Sequence, residues 1–427
     1  MNKRAWILTV PVFLAFSAAI GQAQTAEKNA SQQKRVSNPV LLPPPIVLPA
    51  IPPPGLSNPP SAKSTPSSGP NVSPVPAAPA IPLTMPLPKP VNPLSMHDFQ
   101  SRLTEAERLM KSKPSLTSYS LPGLSTVRMA LLEPDTSAIH LVSLSKDVFL
   151  LKGAQIGLAT SLGKSVRFNI IRANGVNTAV AAFDETGKSY IPLVVEYPIE
   201  RFGAVREIAY YTSAHPALLS PAIVKDGQSY VHTMIDLAAK RLKMGGVSIA
   251  PNILDAAERL CVVEHTDHDR FRRENRLDLF QEIYSLYAFN QLDTYRYSVS
   301  VAGAGGMVQM IPATYQMLRR LHPMAGLNPD FVAGMRNHGN ALEAMLLYMQ
   351  DTWNDLISNP EVMDALSNKI AAPAELMAAG YNSNPAKLPQ YLRRGGSSWR
   401  SLIPRETQMY LQIYQSIDSL MPIKTRS

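Results

Sequence analysis

The chain has 427 residues with 41 Lys or Arg against 32 Asp or Glu, a net charge of +9, and a single cysteine. One thiol excludes an intramolecular disulfide framework, and the charge excess favours anionic partners. The basic residues are scattered, with no long Lys/Arg block of the kind that marks a nucleic-acid surface, so a solvated surface explains the excess equally well.

Taken in chain order, the first segment reads as an export signal. Lys3 and Arg4 precede an apolar run from Ala5 to Ile20, and Gly21-Gln22-Ala23 supplies small residues for cleavage. The run is too short to span a bilayer, and no later segment is longer and as apolar. Residues 1–23 are therefore predicted to be a signal peptide, leaving no integral membrane segment after cleavage. An exported chain without disulfides suits a periplasmic location and argues against nucleic acid as partner. Residues 24–94 are dominated by Pro43-Pro44-Pro45, Pro52-Pro53-Pro54 and Pro59-Pro60. Such sequence lacks the backbone donors of a helix or central strand and predicts a disordered, semi-rigid spacer.

Folded sequence is expected from Ser95. Phe99, Leu103, Ala106 and Leu109 predict a helix over His97–Lys111. Residues 95–203 otherwise read as a β-rich module of four to six strands. The runs are Ala138–Val142, Asp147–Leu151, Val166–Ile171 and Tyr190–Val195, separated by Gly-containing turns. From Ala204 the pattern turns helical. Ser229–Lys243, Ile253–Val263, Ala313–Leu321 and Ala341–Ile357 all show helical apolar spacing.

The residues suited to chemistry lie in this last region. Asn252 is placed to cap the helix after Pro251. Ala257, Leu260 and Cys261 share one face of it, and Glu264 falls at the next position of that face. A carboxyl among apolar neighbours favours its protonated form, as a general acid requires; an exposed or ion-paired Glu at the stripe's edge is the alternative. Downstream comes Gly303-Ala304-Gly305-Gly306-Met307-Val308-Gln309-Met310-Ile311-Pro312, a glycine-rich loop feeding a helix. Gln309 offers an amide for sugar hydroxyls. Ala379-Gly380-Tyr381-Asn382-Ser383-Asn384 adds an aromatic ring and a second amide, and Glu406-Thr407-Gln408-Met409-Tyr410 opens the last helix.

In this order the four pieces resemble the family 1 lytic transglycosylases, the soluble type within the goose-type lysozyme superfamily. There a helix ending in a catalytic Glu is followed by Gly-Ala-x-Gly-Leu-Met-Gln-x-x-Pro, Ala-Tyr-Asn-Ala-Gly and Glu-Thr-x-x-Tyr. The resemblance implies an α+β chain whose mainly helical, lysozyme-like catalytic domain occupies residues 204–427, behind the small β-rich module and the linker. It implies cleavage of the MurNAc–GlcNAc β-1,4 bond of peptidoglycan strands. Glu264 would protonate the leaving oxygen, then act as base on the sugar's C6 hydroxyl to leave a 1,6-anhydro end. Met307, Gln309, Tyr381 and Asn382 would hold the sugar, with Tyr410 beside the acid and no metal or cofactor. The partner implied is the glycan strand; an envelope-spanning protein complex is a further candidate partner.

Departures from the family pattern are His265 where Ser usually follows the acid, a charged stretch from Asp267 to Arg296 that would roof the cleft, and Gly380 and Ser383 in the third motif. Glu274 and Glu282 in that stretch are alternative acids. Three further readings stay open. A muramidase using water would recruit Asp267 or Asp269 as second carboxylate. A metal site would draw on His265 and His268, without the i, i+4 pair of a zincin helix. An inactive domain would bind glycan as a scaffold.

Overall fold

The structure, a computed structural model, describes residues 96–112, 125–201 and 203–426. The expected signal peptide and Pro-rich linker lie outside these residues.

The expected first helix is present as α1 (Met96–Ser112). Seven strands follow: β1 (Thr126–Leu132), β2 (Ile139–Ser145), β3 (Gln155–Ala159), β4 (Ser165–Arg172), β5 (Ala179–Phe183), β6 (Ser189–Arg201) and β7 (Ala204–Tyr211). They form one antiparallel sheet in the order β2-β1-β6-β5-β4-β3, with β7 also paired to β6. The two ends of that order approach each other, and the Ser161 N–H donates to the Leu141 carbonyl at 2.8 Å. The sheet is thus nearly closed on itself, which protects the strand edges. Alternate residues fill its interior: Val127, Met129 and Leu131 from β1, Phe168 and Ile170 from β4, Tyr190 and Val195 from β6. The opposite face of β1 is also buried, because Ala130 and Leu132 pack with Phe99, Ala106 and Met110 of α1. That two-sided burial explains the unbroken apolar run of β1. Pro192 fits within β6 because it sits where pairing with β1 shifts register, at Ala130/Leu131.

One predicted strand is a helix. Residues Lys146–Phe149 form a single turn, α2, started by Ser145, whose hydroxyl accepts from the Val148 N–H. Its period-blind apolar run is too short to tell the two apart.

The helical part comprises α3 (Pro221–Met244), α4 (Pro251–Val263), α5 (His268–Arg273), α6 (Arg276–Asn290), α7 (Pro312–Leu321), α8 (Phe331–Arg336) and α9 (His338–Ile357). It ends with α10 (Pro360–Ser367), α11 (Pro373–Asn382), α12 (Leu388–Gly395) and α13 (Arg405–Leu420). Every residue of α4 from Ile253 to Val263 except Asp255 is buried, so it is the central helix. Its N-cap is Ala250, with Pro251 as the first helical residue and Asn252 two positions too far in to cap.

The expectation of a mainly helical, lysozyme-like domain behind a small β-rich module is overturned. The sheet is a seven-stranded near-barrel spanning residues 126–211, and Ala204–Tyr211, which was expected to be helical, pairs along β6 from Val195 to Arg201. Alternation in β7 is weak because only Ala209 and Tyr211 are buried, so its period gave no strand signal. Sheet and helices belong to one compact unit. A shared core joins them, where Ala130, Ile191 and Val194 of the sheet meet Leu218 and Ile223 beside and within α3.

The charged stretch after Glu264 also differs from its expected role. In α6 Leu279, Phe280, Ile283, Tyr284, Leu286 and Tyr287 are buried, so this helix is core and not a roof. It lies so close to α3 that a Cβ on Gly227 would stand 1.9 Å from the Tyr284 carbonyl oxygen. Backbone cannot yield as a flexible side chain does, so Gly227→Ala should cost about 3 kcal/mol or more. The check is the denaturation midpoint, and an unchanged midpoint would contradict this packing. Among the described residues no helix is long and apolar enough to cross a membrane.

Candidate functional site

Glu264 caps the C-terminus of α4, its N–H donating to the Leu260 carbonyl at 3.0 Å. The helix leaves the core at this point, so the carboxyl is half-buried. Tyr410, brought by the first turns of α13 and itself buried, donates its hydroxyl to Glu264 Oε1 at 2.6 Å. Burial first, then the Glu264 charge, pushes the Tyr410 hydroxyl well above its ordinary value, so it stays a donor.

The facing wall is the glycine-rich loop and α7. A narrow cleft is lined by Glu264, Gln309, Met310, Ile311, Thr314, Tyr348 and Tyr381. Its volume is about 20 Å³, room for one water. A group larger than one water can therefore meet Glu264 only from outside this cleft.

Four fastenings hold the loop. Gly306 takes φ +68°, and a Cβ there would lie 2.2 Å from the Met335 carbonyl at the end of α8. Gln309 also takes a positive φ, and its amide nitrogen donates to Ser298 Oγ at 3.2 Å and the Gly306 carbonyl at 2.8 Å. On the other side the Tyr381 hydroxyl donates to the Val308 carbonyl at 2.7 Å. The His265 ring donates from Nε2 to the Met307 carbonyl at 3.0 Å and stacks on Tyr295 with centroids 3.4 Å apart. Burial pushes the His265 imidazole down to about 3, against the pull of that carbonyl. His265 is thus a neutral clamp between the acid's helix and the loop.

The structure brings Glu264, Gln309, Tyr381 and Tyr410 together. Met307 is fully buried, and it is the carbonyl of Met307 that His265 engages. Asn382 is buried, its Oδ1 accepting from Thr407 Oγ1 at 2.9 Å, and it is not among the residues that line the cleft. Thr314 and Tyr348 do line it. Both sit on apolar helix faces that read simply as core, so the sequence carried no signal for them.

The other carboxylates considered lie elsewhere. Asp267 caps α5 by accepting from the Asp269 and Arg270 N–H groups at 2.8 and 2.9 Å. Asp269 pairs with Arg272, and Glu274 with Arg270. Glu282 is held by Arg270 and Arg172 at 2.6 and 2.7 Å. Burial opposes its charge, yet the two guanidiniums keep its carboxyl below the ordinary value. Among the described residues no cluster of three or more His, Cys, Asp or Glu is placed to hold a metal.

Glu264 is therefore the one carboxylate lining this cleft. No family model matches the chain, and no curated protein or solved structure matches it either.

Proposed function

We propose that the protein is an exported peptidoglycan lytic transglycosylase acting in the periplasm on glycan strands, with Glu264 as general acid and then base. The observation that carries this reading is a lone carboxylate in a cleft, held by a buried tyrosine donor. Hydrolytic glycosidases usually work with two carboxylates, one of them steering water or attacking the sugar. A cleft with one suits a substrate that supplies its own nucleophile, the C6 hydroxyl of the muramic residue. In the first half-reaction Glu264 gives its proton to the glycosidic oxygen as the C1–O bond breaks. In the second it takes the C6 hydroxyl proton as the oxygen closes on C1, which restores the acid. Gln309 and Tyr381, which line the cleft beside Glu264, are the groups assigned to the sugar. The order of the four motif pieces supports the same reading, as does the export signal read from residues 1–23.

The test is digestion of purified peptidoglycan by the mature protein, with products weighed by mass spectrometry. Fragments lighter by one water than the reducing-end product support ring closure. Fragments with reducing ends would make the protein a hydrolase, and retained binding without release would make it a glycan-binding scaffold.

Tyr410→Phe removes one hydrogen bond to a carboxylate, a contact of about 1.5–3 kcal/mol. It should slow release at least tenfold with little change in strand binding. An unchanged rate would show that this donor plays no part in the reaction.

A further inference from the structure

A second, larger groove runs between the sheet and the helices on the far side of the glycine-rich loop, with a volume of about 630 Å³. That lies in the size range of small-ligand sites. Four cations line it, Lys146, Arg201, Arg296 and Arg336, against one carboxylate, Glu200. Glu200 is taken by Lys146 at 3.1 Å. Behind the lining, Glu207 is shared by Arg336 at 3.0 Å and Arg296 at 3.5 Å, and Arg296 also reaches Asp293 at 3.0 Å. Arg201 is left with no ion pair among the described residues. The Arg296 Nε is buried and makes no hydrogen bond. Burial and the nearby Arg201 charge together push the Arg336 guanidinium below its ordinary value. Like charges have been gathered here at a cost that a bound anion would relieve.

The rest of the groove is not suited to a bare anion. Ile199, Phe331 and Met335 form apolar walls, and Val299 and Val332 stand exposed at 71% and 40% along it. Tyr297 carries the Arg336 guanidinium 4.9 Å from its ring centre, which orients the cation and leaves an aromatic surface between charge and apolar wall. Inorganic phosphate would use the cations and waste the walls. A short peptide with a carboxylate and small apolar side chains uses both.

We propose that this groove is a binding site for a short carboxylate-bearing peptide, with Arg201 and Arg336 on the carboxylate and the Ile199, Val299 and Phe331 surfaces on its apolar side chains. The site is separate from the Glu264 cleft and does not depend on what that cleft does.

Calorimetric titration of the full chain with the peptide Ala-Glu-Ala, against the carboxylate-free Ala-Gln-Ala amide, tests it. The acidic peptide should bind at least tenfold more tightly, and raised salt should weaken it. Arg201→Gln should lose that preference, and Arg201→Lys should recover part of it. Arg201 has no carboxylate to leave behind, so its variants keep the fold, which a thermal melt checks. Arg336→Gln should lose the preference as well, and Glu264→Gln should bind as the wild type does. Equal affinity for the two peptides, no binding of either, or an unchanged preference in Arg201→Gln would overturn the proposal. So would inorganic phosphate competing at the peptide's own concentration. Stem peptides freed from peptidoglycan, titrated alongside, identify the source. Tighter binding of these than of Ala-Glu-Ala points to the wall, and the reverse to an acidic segment of another protein. No turnover is read, so the result stands apart from the cleavage assay.

Discussion

Glu264→Gln should reduce glycan release by about a hundredfold to ten-thousandfold, the usual contribution of a positioned general acid. The substitution removes the transferable proton and keeps the shape. The amide oxygen can still accept from Tyr410, whose hydroxyl lies 2.6 Å from Glu264 Oε1 in the wild type. Glu264 also lies at the rim of the core and not within it, so the melting temperature should hold. Loss of rate without loss of fold is the expected pair of results. Glu282→Gln is the informative contrast. Its half-buried carboxylate sits between Arg270 and Arg172 and is held below its ordinary value. A group kept ionised cannot supply a proton, and removing its charge strands two cations. That variant should therefore melt earlier, with any activity loss tracking unfolding. Equal release rates from wild type and Glu264→Gln would sink the assignment of the acid.

The helices were the most legible part of the chain. Ile253–Val263 and Ala341–Ile357 carry strong 3.6-residue apolar spacing, and α4 and α9 follow those limits closely. Several strands were legible for the matching reason, as Val166, Phe168 and Ile170 alternate inward along β4. What failed was local sequence with no clear period. β7 buries few of its side chains and read as helix, and the single turn of α2 read as strand. The joining of sheet and helices into one core was also invisible, because it depends on contacts such as Phe289 of α6 against Phe99 of α1, far apart in sequence. In the site, motif order pointed to Glu264, Gln309 and Tyr381, which line the cleft, and to Tyr410, which donates to the Glu264 carboxylate. Asn382 matched a motif but is spent on Thr407. His265 looked like a departure from the pattern, and its role became plain only through partners 30 and more residues away, Tyr295 and the Met307 carbonyl.

Acid should begin to destabilise the protein above the range where carboxylates titrate. Burial lowers His265 to about 3, His215 to about 4 and His338 to about 4, each from an ordinary value near 6.5. Local bonding agrees with neutral rings. His215 Nδ1 accepts from the Ala217 N–H at 3.1 Å, and His338 lies with Nδ1 2.9 Å from the Tyr230 hydroxyl while Nε2 donates to the Thr294 carbonyl at 2.7 Å. Above pH 6.5 folded and unfolded chains both carry neutral imidazoles, and these groups contribute nothing. As pH falls below 6.5 the unfolded chain binds three protons that the folded chain refuses. Stability is then lost at up to about 4 kcal/mol per pH unit until the folded values near 4 and 3 are reached. A domain's whole stability is typically about 5–15 kcal/mol, so unfolding should be complete by roughly pH 4. Glu282, held below its ordinary value, adds to the loss at the acid end as its folded pKa is approached. Glu343, raised by its burial, works the other way by taking up a proton in the folded state first. It is one group against three. Denaturant midpoints measured at pH 7, 6 and 5 should fall steeply over the last step, and His215→Asn, which keeps an acceptor for Ala217, should flatten the slope by about a third. Midpoints that do not move between pH 7 and 5 would mean the buried imidazoles are reached by water. Since His265 is the clamp on the Met307 carbonyl, any activity assay in this range should fail together with the fold.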